Sequence, residues 1–214
     1  MLMATDSLAP KLAPPGAGLP RAELWLSRLG MALIERWLSR EAASRWFADE
    51  GRRILAIVGG LVPEAAARRV LIDRLWGLED SSRHWSALMV LDHLVITGTT
   101  MVEIIESLAA KQTFDRQIST AHVKPDPAVD SAIIARFERF AAEYPQRIAR
   151  LGTLPTKARH AHPWFGPLTA HGWHVLAAVH QSLHRRQLAR IVAGLPRERV
   201  VRQAATPPPP APGR

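Results

Sequence analysis

Residues 169–194 read TAHGWHVLAAVHQSLHRRQLARIVAG, and this stretch decides the fold class. Its period is helical. At 100° per residue His180 and His184 stand one turn apart on one face, with Trp173, Ala177, Gln187 and Ile191 on the same stripe. Arg185, Arg186 and Arg190 lie away from its centre. Thr169 is a capping residue at the start, and Gly194 and Pro196 stop the helix. Two imidazoles therefore point where the apolar face points, and a pair spaced i, i+4 can reach one metal ion.

The same period runs through the rest of the chain. Ile133, Ile134, Phe137 and Phe140 mark a helix over 129–151, which Pro145 is expected to kink or shorten. Ser81 and Ser82 are candidate caps for a long helix over 82–111. A helix over 41–58 carries Phe47, Ile54 and Val58 and ends at Gly59-Gly60. Pro63 opens a short helix over 64–78. A first helix over 21–39 carries Leu26, Leu29, Leu33 and Trp37 on one stripe, expected to pack on the bundle. No strand pattern of comparable strength is present. The reading is all-α: a four-helix bundle of helices near 41–58, 82–111, 129–151 and 169–193, with additional N-terminal helices. Residues 1–20 and 201–214 are Pro-rich, read as a disordered leader and tail around a helical domain at 21–200 with its core at 41–193.

Composition narrows the function. The 214 residues include no cysteine, so a disulfide framework and a thiolate metal site are both excluded. The formal charge of +9 is spread over all the helices, and no Gly-rich phosphate loop, zinc-finger spacing or RNA-binding aromatic motif accompanies it. No specific nucleic-acid partner is expected. No run of 18 uninterrupted apolar residues occurs, and the prolines of 1–20 do not suit a signal peptide, so the expected compartment is the cytoplasm.

A third metal ligand is available in His93, whose stripe neighbours are Met89, Val90, Ile96, Thr97 and Thr100. Alone it reads as a core histidine satisfied by hydrogen bonds. Three inward imidazoles without partners would be costly to bury, whereas a shared cation satisfies all three. Three neutral imidazoles leave an ion its full charge and an open position, the layout of a catalytic site. Glu103 and Glu106 share a helix with His93 but not its stripe, so no general base is identified. His84, His122, His160, His162, His171 and His174 read as surface or rim positions.

Two further stretches add a family likeness. Arg83-His84-Trp85-Ser86 leading into Val90-Leu91-Asp92-His93-Leu94 resembles the start of the second bundle helix of the DinB/YfiT-like superfamily. His162-Pro163-Trp164-Phe165-Gly166-Pro167-Leu168-Thr169, followed by Trp173, His180, His184 and Gln187, resembles its loop and last helix. The likeness spans about 41–191. It implies a four-helix bundle in which His93, His180 and His184 hold a divalent ion, zinc or nickel. Gln187, Thr97, Trp173 and Trp85 would lie behind or around that ion. It also implies a small-molecule substrate and, in some members, a low-molecular-weight thiol as cosubstrate of a transferase; hydrolysis is the other reaction open to such a centre. The rival readings are a non-catalytic interaction or stress-response bundle, and a bundle held at a membrane surface by 21–39, where Leu24 and Trp25 join the stripe beside Arg21, Arg28 and Arg36. A homodimer is compatible with the extra apolar helix.

Overall fold

The computed structural model describes residues 10–117, 119, 122–154 and 156–196. Six helices carry the fold: α1 (Arg21–Trp37), α2 (Arg40–Gly59), α3 (Pro63–Ala67), α4 (Ala87–Ala109), α5 (Ala132–Ala149) and α6 (Ala170–Ala193). The bundle comprises α2, α4, α5 and α6. Each packs on two neighbours, α6 against α2 and α4, and α5 against the same two. Three of the four bundle helices are capped by hydroxyls at their starts: Ser39 accepts from Ala42 N, Ser86 from Met89 N and Thr169 from Gly172 N. Arg40, at the start of α2, donates to the carbonyls of Ile148, Leu151 and Gly152. It thereby satisfies acceptors that the end of α5 leaves open.

The core follows the helical stripes. One cluster gathers Ile54, Leu91, Phe137 and Leu188, and a second gathers Phe47, Ile105, Tyr144 and Trp173. Fully buried side chains of this size each contribute roughly 1.5–3 kcal/mol. Close approach of α4 and α5 depends on Gly98, where an added Cβ would stand 2.1 Å from Cζ of Phe140. Across the bundle, buried Glu50 of α2 accepts from Arg185 of α6 and from Arg53. The central helix α4 is long and apolar enough to cross a membrane, but most of it is enclosed by its neighbours.

Several expectations are corrected. The helix over 64–78 stops at Ala67, because Arg68 turns extended and Val70–Leu71 (β1) pairs with His84–Trp85 (β2). The helix over 82–111 begins only at Ala87. Ser86 caps it, while Asp80–Ser82 form a separate 3₁₀ turn. A second ribbon pairs His160–His162 (β3) with Gly166–Leu168 (β4). Helix α5 continues past Pro145 to Ala149. Residues 10–20, expected as part of a disordered leader, are tied down: Ala13 N donates to Asp80 Oδ2 at 2.7 Å, and Gly16 N to Glu79 Oε1 at 2.8 Å. The stripe of α1 does not pack on the bundle. Met31 and Ile34 turn inward, Leu29, Leu33 and Trp37 face outward, and Leu26 is half exposed at the edge of the cavity described below. Residues 1–9 and 201–214 lie outside the described residues.

Candidate metal centre

Helix α4 presents His93, and α6 presents His180 and His184 one turn apart. Their nitrogens converge. Nε2 of His180 lies 3.2 Å from Nε2 of His93 and 3.1 Å from Nε2 of His184. Imidazole nitrogens bound to one tetrahedral ion at about 2.0–2.1 Å stand about 3.3 Å apart, so these separations match the edges of a coordination polyhedron.

The hydrogen bonds behind the rings decide which nitrogens are free. Nδ1 of His93 lies 2.6 Å from the carbonyl of Val123, which can only accept, so that nitrogen carries the proton. Gln187 donates from Nε2 to the carbonyl of Ser82 at 2.7 Å, which turns its Oε1 toward His184. Nδ1–H of His184 donates to that oxygen at 2.6 Å. His93 and His184 therefore both present a bare Nε2 lone pair to His180. One N–H on His180 could bridge only one of the two gaps, leaving lone pair against lone pair in the other. A cation resolves all three, so the donor set fits a divalent ion. No other group of three metal-ligating side chains occurs among the described residues.

Burial keeps the three imidazoles neutral. It pushes His93 down to about 4, against the hydrogen bond to Val123, and Lys124 adds to the depression. His180 and His184 are held well below the ordinary imidazole range, first by burial and then by their neighbours. His93 is 7% exposed and His184 3%, whereas His180 keeps more exposure. All three line a cavity of about 350 Å³ together with Met31, Thr97, Met101, Trp173 and Leu176. Three ligands on a four-coordinate ion leave one position, and this cavity gives a small molecule access to it.

The sequence-derived neighbours fall as follows. Trp85 backs the centre, its ring 5.0 Å from that of His93 and nearly parallel to that of His184 at 6.0 Å. Thr97 lines the cavity and donates to the carbonyl of His93 at 2.6 Å. Trp173 lines it too, its Nε1–H donating to the carbonyl of His160 at 3.2 Å. Gln187 is fully buried. Glu103 pairs with Arg116 and Glu106 with Arg147, both away from the centre.

Other residues were not anticipated. His162, expected at the rim, lines the cavity. Its Nδ1 accepts from the backbone N–H groups of Trp164 and Phe165, at 3.1 and 3.3 Å, so its proton sits on Nε2. Burial first, and then His160, holds it down to about 3. The local signal was the His-Pro-aromatic turn itself. His174, also expected at the rim, is wholly buried: Tyr144 O–H donates to its Nδ1, and its Nε2–H donates to the Arg40 carbonyl. Lys124 is held by Glu79, Ser81 and Ser82, with Nζ 5.5 Å from the centre of the Trp85 ring. Asp92 accepts from Asp126 N at 2.9 Å, and so fixes the segment whose Val123 carbonyl orients His93. These are contacts across 30 residues or more, which no local spacing signals.

No protein-family model and no curated protein sequence matches the chain. Among solved structures, the chain is similar to the crystal structure of TT2238, a four-helix bundle protein. That likeness has 19% identity and a TM-score of 0.47, over 71% of this chain and 98% of that one.

Proposed function

We propose that the protein is a metalloenzyme of the DinB/YfiT-like type. It would bind zinc or nickel through His93, His180 and His184 and act on a small molecule, with a low-molecular-weight thiol as cosubstrate of a transferase or water as that of a hydrolase. The convergence of the three Nε2 atoms on the wall of a 350 Å³ cavity carries this reading. A bound divalent ion would supply Lewis acidity, lowering the pKa of a water or thiol at its open position.

The chain's own residues supply the rest. Val123 and Gln187 hold two ligands in the tautomer that faces the ion. Met31, Met101, Trp173 and Leu176 make the cavity predominantly apolar and limit the water in it. His162, with its proton on Nε2, can donate a hydrogen bond to a substrate oxygen or sulfur. The chain has no cysteine, so any thiol in the reaction comes from outside.

The test is the metal content of tag-free protein, wild type beside His93→Ala and His184→Ala. About one equivalent in wild type and none in either variant supports the centre and justifies a screen of thiol cosubstrates. A well-folded wild type that takes up neither added zinc nor added nickel ends the metalloenzyme reading and leaves three core histidines in an interaction bundle.

A further inference from the structure

Among the described residues, five of the seven exposed large apolar side chains stand on α1: Trp25, Leu26, Leu29, Leu33 and Trp37. On a helical wheel they occupy about 120° of arc. The two tryptophans are the most exposed of all, at 64% and 78%, and they lie toward opposite ends of a helix about 25 Å long. A sixth exposed side chain, Trp76, adjoins α1, since the next residue, Gly77, donates its N–H to Glu23 at 2.6 Å.

The charges on α1 are sorted. Its cations Arg21, Arg28 and Arg36 are exposed. Its carboxylates are withdrawn: Glu23 is 3% exposed and clamped by both terminal nitrogens of Arg74, and Glu35 accepts from the Thr169 hydroxyl at 2.9 Å. The outward face thus offers apolar bulk and positive charge and no negative group.

We infer that α1 is a membrane-surface helix that seats the protein on anionic lipid, with Trp25, Leu29, Leu33 and Trp37 entering the headgroup boundary and Arg21, Arg28 and Arg36 meeting lipid phosphates. Charge complementarity selects this occupant. Two copies joined through this face would bring six arginines together with no exposed carboxylate from α1 between them, whereas an anionic bilayer neutralises all of them. Arg28 is turned sideways, its Nε donating to the Trp164 carbonyl, while Arg36 falls inside the apolar arc with its guanidinium 5.7 Å from the centre of the Trp37 ring. The same helix, through Leu26 at the edge of the apolar face and Ser27, Gly30, Met31 and Ile34 on its inner side, walls the cavity of the histidine centre. A molecule dissolved in the headgroup layer would therefore meet that cavity across one helix.

Flotation of the full chain with vesicles tests the proposal. The vesicles are phosphatidylcholine alone, or phosphatidylcholine with roughly one phosphatidylglycerol in three lipids. The wild type is expected to float with the anionic vesicles only, and to be released as salt is raised. The triple variant Trp25→Ser, Leu29→Ser, Leu33→Ser changes exposed side chains only and keeps the thermal transition. It should lower partitioning by a factor of ten or more, as should Arg21→Gln with Arg28→Gln and Arg36→Gln, by an order-of-magnitude expectation. Wild type that stays unbound with anionic vesicles overturns the inference. So does a dimer in sedimentation that the Ser variant dissolves while vesicle binding is absent, since that outcome assigns the face to a second copy. Chelation before flotation leaves the expected result unchanged, so this test does not depend on the metal.

Discussion

Gln187 fixes the tautomer of His184: its side-chain oxygen accepts from Nδ1 of His184 at 2.6 Å, while its amide nitrogen donates to the Ser82 carbonyl at 2.7 Å. Through that one bond the glutamine decides which ring nitrogen of His184 faces His180.

Replacing it tests that relay. Gln187→Leu is expected to weaken metal affinity about 10–100-fold, read by competition with a chromophoric chelator. It should also cost about 1–3 kcal/mol of stability, because the Ser82 carbonyl and the His184 N–H lose their buried partner. Affinity equal to wild type would show that the ring needs no such support.

Metal addition should stabilise the bundle. At a hundredfold excess over Kd a single site contributes about 2.7 kcal/mol, which for a chain of this size raises Tm by about 5–10 °C. Zinc or nickel added to chelator-treated wild type should give this rise in differential scanning calorimetry. His180→Ala, which removes the ligand shared by both close nitrogen pairs, should give none.

The close approach at Gly98 makes a packing test. Gly98→Ala improves helix propensity by about 1 kcal/mol. The new methyl, however, would meet three atoms of the Phe140 ring within 3.0 Å. A net loss of about 1–3 kcal/mol in urea unfolding is expected, and Phe140→Leu in the same chain should recover part of it.

Acid should destabilise the protein through His174, whose hydrogen bonds involve none of His93, His180 and His184. Burial first, then His171 and Arg40, hold it down to about 4 from an ordinary 6.5, against the Arg40 carbonyl and Glu41. The unfolded chain takes up this proton below about 6.5 and the native chain only below about 4. Stability therefore falls as pH is lowered through that window, by about 3 kcal/mol for this group, and this contribution levels off beneath it. Urea midpoints measured at successive pH values should show that slope. His174→Gln should start lower at neutral pH and lose about that much less across the window.

The sequence made α6 legible because one uninterrupted period, one hydroxyl cap and one terminal glycine agree, and the i, i+4 pair inherits its geometry from them. His93 followed from the stripe of α4 for the same reason. The start of α4 was misread because Ser81 and Ser82 look like caps but serve Lys124 instead. That use depends on a residue 42 or more positions away. The segment after Ala67 was misread because β1 is stabilised by β2, again a distant partner. The apolar stripe of α1 was expected to pack on the bundle, and the structure leaves most of it exposed. That was decided by Arg74 and Thr169, which draw Glu23 and Glu35 inward.

The centre joins segments that lie far apart along the chain. His93 reaches Val123 across 30 residues and His180 across 87, so the smaller loop closes at lower entropic cost. Helix α4 with the segment after it presents one oriented imidazole, and α6 by itself presents two. His180 and His184 stand on one helix, so the packing of α6 on α4 brings both to His93 at once. If an ion is taken up, the full set of three imidazoles is open to it only once α4 and α6 are packed together.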